Sequence, residues 1–216
     1  LDWFRPTKKH IEKIDELTTK INEGNWTVVN PEWFGMGSNP KTDLFLKQYI
    51  EWNFANVQAI AEAVADITIK LFKYNTKTDE VEEVKEHPAL ELIYKVNPQM
   101  TKQDFIFILM CNLLLAGEAP IRLRRANNNI KEPPTELYPI SPSGFKVFTG
   151  TTKDGYELVA KYEIPDTSSP GKTITLDPWD VIFLKNPNPY NPFRGVGVVE
   201  AASRTIDTLN HSEQYN

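Results

Sequence analysis

The sequence predicts an α+β protein, with helices packed on mixed or antiparallel β elements. Two observations carry this. Helical and β patterns are segregated along the chain instead of alternating, which disfavours a doubly wound sheet. The run from Phe105 to Ala116 also lacks a polar stripe, because Phe105, Ile106, Phe107, Ile108, Leu109, Met110, Cys111, Leu113, Leu114 and Leu115 point in every direction around a helix. Such a segment must be covered on nearly all sides. Crossing a bilayer needs about 20 apolar residues, and Asn112 interrupts this shorter run, so it reads as a central core helix or a subunit-interface helix. Phe107, Leu113 and Leu114 are expected to be buried, with Leu114→Ala costing about 2–5 kcal/mol.

The elements follow in order. Residues 7 to 23 carry Ile11, Ile14, Leu17 and Ile21 at helical spacing, and Gly24 stops that pattern. Pro31, Gly35, Gly37 and Asn39-Pro40 make 30 to 42 a loop. A longer helix runs from about Thr42, its N-cap, to Ala65, with Leu44, Tyr49, Trp52, Val57, Ile60 and Val64 among alanines. Asp66 to Tyr74 alternates apolar and polar residues, the pattern of a half-buried strand; Asn75 to Glu80 supplies a turn and Val81 to Val84 a return strand. His87-Pro88 opens a short helix from Ala89 to Tyr94, with the proline in its first turn. Thr101 and Asp104 fit an N-cap and a first-turn carboxylate for the apolar helix, and Gly117 fits its stop. Strands are then expected at Ile121 to Arg125, Thr135 to Ile140, Phe145 to Phe148, Tyr156 to Ile164, Thr173 to Leu176 and Trp179 to Leu184, with a turn at 127 to 129. No internal repeat or low-complexity stretch interrupts this order.

With 216 residues the chain can form one large domain or two small ones and can bury a real core. At 40% hydrophobic and 25% charged it reads as soluble and globular. Twenty-four basic against 29 acidic side chains give a formal charge of −5, so no global attraction to nucleic acid or to an anionic membrane is expected. The single cysteine, Cys111, excludes an internal disulfide and a cysteine zinc site and reads as a buried thiol, which does not fix the redox compartment and leaves a reducing one as the default. Leu1-Asp-Trp-Phe-Arg-Pro has no signal-peptide pattern. Leu1 is not an initiator methionine, and the helical pattern from Val196 through Ile206 and Leu209 is still running at the end, so the chain is expected to be a piece of something longer.

Residues able to carry chemistry are sparse. His10, His87 and His211 are far apart, and none stands three or four positions from another histidine or from the cysteine, so no metal site is expected. Ser141-Pro-Ser-Gly144 is a turn signature, and no Gly-x-Ser-x-Gly elbow exists. Gly195-Val-Gly197-Val-Val-Glu200 follows a strand and opens a helix, as a dinucleotide fingerprint does. Glu200, however, stands where Gly or Ala is wanted, and the loop Asn186 to Phe193 separates it from the strand, so helix capping and close backbone packing are the expected roles. Arg122, Arg124 and Arg125 form a basic cluster in which Arg122 and Arg124 share one strand face, a solvated face in preference to a phosphate contact. No catalytic, metal-binding or cofactor-binding residue is therefore assigned, and no DNA-binding residue is identified.

The order of these pieces resembles the HK97-type tailed-phage portal proteins. The resemblance rests on the strand Ile67 to Tyr74, His87-Pro88 with Leu92 and Asn97-Pro98, and Thr101 to Phe105 leading into Leu113-Leu-Leu-Ala-Gly117. It continues through Leu137-Tyr-Pro-Ile-Ser-Pro142, Trp179-Asp-Val-Ile-Phe-Leu184, and Gly195-Val-Gly197-Val-Val-Glu-Ala-Ala202 running into Glu213-Gln-Tyr215. It spans residues 43 to 216. Glu118-Ala-Pro120 departs from the family's usual Asn with small or aromatic residues, and Val198 from its frequent Pro or Ser.

The resemblance implies an N-terminal helix and loop over residues 1–41 and a portal wing-like α+β body over 42–216, ending within or after a C-terminal helix, with stem, clip and tunnel segments largely absent. It implies a structural, non-enzymatic subunit without cofactors, part of a homo-oligomeric ring, a dodecamer, at the capsid vertex of the virion, assembled in the host cytoplasm. Implied partners are the major capsid protein, the terminase large subunit, a neck or head-tail adaptor protein, and double-stranded DNA passing without sequence specificity during packaging and ejection; no membrane is implied. The competing expectations are a nucleotide-dependent enzyme fragment using the Gly195/Gly197 turn, and an adaptor domain without a channel.

Overall fold

A computed structural model of the chain describes residues 27–28 and 51–199, apart from positions 77–78, 127–129, 152–153, 167 and 170. The expected helix at 7 to 23, the loop at 30 to 42, the Thr42 cap, the boundary at 41/42, the turn at 127 to 129, His10, His211 and the C-terminal helical pattern lie outside the described residues. Strand β1 (Thr27–Val28) is followed by helix α1 (Glu51–Ala65), the ribbon β2 (Leu71–Asn75) and β3 (Glu80–Val84), and helices α2 (Pro88–Tyr94) and α3 (Lys102–Ala116). Then come β4 (Glu118–Arg124), β5 (Glu136–Pro139), β6 (Lys146–Thr151), β7 (Glu157–Pro165), β8 (Thr173–Leu176), a 3₁₀ turn at Pro178–Asp180 and β9 (Val181–Lys185). Every strand pairing is antiparallel, in sheets ordered β1-β6-β7-β8 and β5-β4-β9 and in the separate β2-β3 ribbon. The α+β expectation holds.

Helix α3 is the hub, and its local sequence explains both ends. Thr101 and Asp104 make a reciprocal capping box, with Thr101 Oγ1 accepting from the Asp104 N–H at 3.1 Å and the Asp104 carboxylate accepting from the Thr101 N–H at 3.1 Å. Gly117 closes the helix in the left-handed region at φ 74°, donating to the Leu113 carbonyl at 3.0 Å. The missing polar stripe has a simple cause: α3 is covered on two sides. Phe105 and Leu109 pack with Val96, Ala119, Ile121 and Leu137 against β4 and β5, while Cys111 and Leu115 pack with Val57 and Ala61 of α1 and with Val199.

Phe107, Leu113 and Leu114 are half-buried at the margins of these two clusters, which corrects the expectation that they form the interior. The large truncation penalty therefore moves to Leu115, which is 3% exposed. Leu115→Ala is expected to cost about 2–5 kcal/mol, and Leu114→Ala distinctly less, in denaturant melts run side by side. Equal losses would mean that the half-buried face is covered by something else.

The strand expected from Asp66 begins only at Leu71. Backbone carbonyls that a ladder would use are taken by side chains instead: buried Lys102 donates to Ile67 O at 2.7 Å and Tyr94 OH to Ile69 O at 3.1 Å. The ribbon is also not half-buried, because Phe72, Tyr74 and Val81 are 54%, 57% and 62% exposed. Asp79, at φ 57°, turns it. His87 caps α2, its Nδ1 accepting from the Ala89 N–H at 3.1 Å, with Pro88 in the first turn as expected.

Strand β4 starts three residues before Ile121, at Glu118, and passes through Pro120. The proline is tolerated because Ile140, just past the end of β5, donates to its carbonyl at 2.8 Å and needs no N–H in return. Trp179 lies outside β9, in the 3₁₀ turn that Pro178 initiates. β8 has the expected bounds, and β5, β6 and β7 lie within a few residues of theirs.

The third core lies between the two larger sheets, where Phe145, Val147, Tyr162, Leu176 and Val181 meet Phe183. Phe145 stacks on Tyr162 with ring centroids 5.1 Å apart. Burial pushes the Tyr162 phenol up from 10.0 to about 12. The folded state holds this proton more tightly than the unfolded chain, so its contribution is intact below pH 10 and is lost as pH rises towards 12. Alkaline titration of stability should fall in that window, and Tyr162→Phe should flatten the fall.

Candidate functional site

Three backbone segments meet at the end of α3: Leu115 to Gly117, the start of β4 at Glu118, and the loop from Asn186 to Gly197 that follows β9. The loop is shaped by its own asparagines, Asn188 Oδ1 accepting from Tyr190 N at 3.0 Å and Asn191 Oδ1 from Phe193 N at 2.9 Å. Asn186 ties its near end to the helix. Its backbone N–H donates to Gly117 O at 2.8 Å, and its side-chain amide donates to Leu113 O at 3.0 Å and to Val196 O at 3.2 Å. The amide thus adds a second donor to the Leu113 carbonyl, which also accepts from the Gly117 N–H.

Arg194 and Glu118 fasten the far end. Arg194 Nε donates to Glu118 Oε1 at 2.6 Å and Nη2 to Oε2 at 2.8 Å, while the Gly195 N–H donates to Oε1 at 2.8 Å. Arg194 Nη1 reaches the Phe145 carbonyl at 3.5 Å, which links the joint to the sheet containing β6. Glu118 is 2% and Arg194 6% exposed. A planar guanidinium and a carboxylate meeting along two parallel bonds, with a third donor from the backbone, is an arrangement that holds a buried charge pair in one geometry. Nearby Lys185, bonded to the Pro192 carbonyl, has its ammonium pKa lowered by burial; Glu118 opposes that shift and Arg194 adds to it.

The glycines complete the joint. A Cβ on Gly195 would stand 2.0 Å from Gly117 O, one on Gly197 2.3 Å from Leu115 O, and one on Gly117 2.2 Å from the Val196 carbonyl carbon. Backbone passes backbone with no room for a side chain. Gly195 and Gly197 therefore have the close-packing role that the sequence predicts, and Val198 and Val199 begin a helix after them. The Gly195 N–H, which a dinucleotide fingerprint would offer to a pyrophosphate, is already engaged by the Glu118 carboxylate at 2.8 Å.

The other sequence-flagged residues stay apart. Arg122 and Arg124 are exposed on one face of β4, Arg124 paired with Glu136 at 3.2 Å. Arg125 turns inward instead, binding Asp180, Trp179 O at 2.9 Å and Glu132 O at 3.0 Å. Ser141 to Gly144 is a turn, with Ser141 Oγ accepting from the Ser143 N–H at 3.2 Å. Cys111 is buried between α1 and α3. Among the described residues no group of three or more His, Cys, Asp or Glu side chains could hold a metal ion, and no helix is long and apolar enough to cross a membrane. The sequence points to Glu118 only as a departure from the family pattern and to Asn186 only as the start of a loop, and Arg194 carries no motif of its own. Their signal is faint: a lone carboxylate directly after a helix-stopping glycine, and a lone arginine directly before Gly195.

Residues 52–216 match the family model for phage portal proteins. An uncharacterized protein of Rickettsia bellii (strain RML369-C) is 30% identical over 165 residues, covering 74% of this chain and 39% of the relative. Among solved structures, a chain in the neck of an empty GTA particle computed with C6 symmetry has a TM-score of 0.64 at 19% identity, covering 81% of this chain and 45% of that one. A chain in the neck of a native GTA particle computed with C12 symmetry has 0.64 at 17%, covering 91% and 48%. One in the virion of a native gene transfer agent (GTA) particle has 0.65 at 18%, also covering 91% and 48%. This chain spans less than half the length of each of these proteins.

Proposed function

This chain belongs to the phage portal protein family, and from that premise we propose that it is a structural subunit of a closed portal ring at the capsid vertex of a virion-like particle. The observation that supports this most is the family match over residues 52–216. The GTA particles carry the same fold in their necks, under C6 and C12 symmetry. A ring built from a dodecamer of such subunits works by shape: it passes double-stranded DNA without reading sequence and docks the terminase large subunit, the major capsid protein and a neck adaptor. An acidic chain suits a conduit that lets DNA slide. In this reading residues 42–216 form a wing-like body, and the Glu118–Arg194 joint keeps its helical layer and its two sheets in fixed relation while load is transmitted through them.

The enzyme alternative needs a phosphate-binding turn at Gly195 and Gly197, which the packing against Leu115 to Gly117 disfavours. A nucleotide-binding or turnover assay is expected to give no saturable signal. The adaptor alternative predicts no ring. Closed rings need heterologous contacts that repay the lost freedom of association, and a chain shorter than half its relatives holds part of that surface. Analytical ultracentrifugation should therefore show the 216-residue chain as a monomer or weak associate at micromolar concentration and the product of the whole reading frame as a closed ring. A whole product that stays monomeric, in solution and in particles, would replace the ring with the adaptor reading.

A further inference from the structure

Two exposed features of this chain complement one another. The first is a groove of about 890 Å³ where the β5-β4-β9 sheet diverges from the end of β7. Arg122, Arg124, Arg125, Tyr138 and Ser141 line it from β4, β5 and the residues that follow them, and Ile164 and Pro165 line it from the end of β7. Of the arginines among the described residues, Arg124, Arg125 and Arg194 each hold a carboxylate, whereas Arg122 has no ion pair or hydrogen bond with any described residue. An exposed guanidinium with no anion, in a chain of net charge −5, is an open position for a carboxylate.

The second feature is the β2-β3 ribbon. Its register places Phe72, Tyr74 and Val81 on one face, exposed, and Lys73, Glu80 and Glu82 on the other. Asp79, Glu80, Glu82 and Glu83 line the second strand and its turn, and the ion pair of Glu83 with Lys70, at 3.2 Å, leaves Glu80 and Glu82 on the opposite face. A ribbon that carries Glu80 and Glu82 on one face, beside Lys73, and Phe72, Tyr74 and Val81 on the other, beside Glu83, complements a groove that offers a guanidinium and hydroxyls together with apolar side chains. A DNA duplex fits it less well: of the three arginines that line the groove, Arg124 holds Glu136 and Arg125 holds Asp180, which leaves Arg122 without a carboxylate among the described residues, where duplex binding calls for an open basic stripe.

We propose that the β2-β3 ribbon of one subunit docks into the Arg122 groove of the next, with Glu80 and Glu82 facing Arg122 and with Val81 and Tyr74 against Ile164 and Pro165. The contact is heterologous, since groove and ribbon are different surfaces, which is the kind of contact from which rings are built when the repeated rotation closes. The proposal rests on the ring reading above. Stable interfaces bury roughly 1,200–2,000 Å² in total, so this contact is assigned the setting of register within a larger one.

The test uses rings formed by the product of the whole reading frame. Glu80→Cys and Ser141→Cys together, on the faces that the docking brings into contact, should give ladders of disulfide-linked subunits on non-reducing gels under mild oxidation, and neither substitution alone should. Arg122→Glu should weaken subunit association about tenfold or more, and Glu82→Arg added to it should restore most of the loss. Intact rings without ladders, or rings indifferent to Arg122→Glu, overturn the docking while leaving the ring in place. Loss of DNA retention in Arg122→Glu with unchanged rings would reassign Arg122 to a phosphate. If the whole product forms no ring, the ring reading itself fails and the docking with it.

Discussion

Glu118→Ala is expected to destabilise the folded chain by about 3–5 kcal/mol, because it leaves the Arg194 guanidinium buried without its counter-charge. Both partners are almost fully enclosed, so neither can turn to water for compensation. Removing Glu118 also orphans the Gly195 N–H, which donates to the same carboxylate. Arg194→Ala should cost a similar amount by leaving the carboxylate buried, and the double substitution should cost less than the two single losses added together, the signature of a direct pair. The exposed Arg124–Glu136 pair provides the contrast: Arg124→Ala should cost no more than about 1 kcal/mol. Denaturant midpoints read all four. Hydrogen exchange should rise first in the loop from Asn186 to Gly197, whose anchor is gone. A loss below about 1 kcal/mol for Glu118→Ala would mean that the joint does not hold the layers together.

Gly117→Ala is the second large effect, at about 2–5 kcal/mol, the sum of a left-handed conformation worth about 1–2 and an overpacking cost of about 1–3 kcal/mol. The clash is with the carbonyl carbon of Val196 and the amide of Gly197, backbone atoms that no rotamer change can move. Gly171→Ala isolates the conformational part. At φ 84°, with nothing within 4 Å of its added Cβ, it should lose only the left-handed cost, about 1–2 kcal/mol. Gly197→Ala isolates the steric part, since its Cβ would meet Leu115 O at 2.3 Å. If Gly117→Ala and Gly171→Ala lose the same stability, the close approach of the loop to α3 is not a determinant of the fold.

The contrast between these glycines and the arginines explains what could be read from the sequence. Local signals were legible wherever one residue dictates backbone: the Thr101 cap, the Gly117 stop, Pro88 opening α2, the Ser141 to Gly144 turn, and the β8 strand. The doubly covered α3 was legible as well, because ten apolar side chains around one helix admit no solvent face. Distant pairings were not legible. Nothing near Asp66 signals that Lys102 and Tyr94 claim the carbonyls of Ile67 and Ile69, so the strand was expected too early. Arg125 resembles its neighbours Arg122 and Arg124 in sequence, yet it turns inward because the 3₁₀ turn after β8 brings Asp180 and the Trp179 carbonyl to it. The Glu118–Arg194 joint joins residues 76 positions apart, and no periodicity carries that information. The proposed ring is legible only through family resemblance, since closed symmetry is a property of surfaces between chains.

The portal account is tested most directly by electron microscopy of particles made with the product of the whole reading frame. The account predicts a rotationally symmetric ring at one capsid vertex, twelve-fold like the native GTA neck, with the α3 and two-sheet body of this chain resolved in each subunit of its periphery. Particles in which this body is absent from the vertex, or stands there as a single copy without ring symmetry, would contradict it.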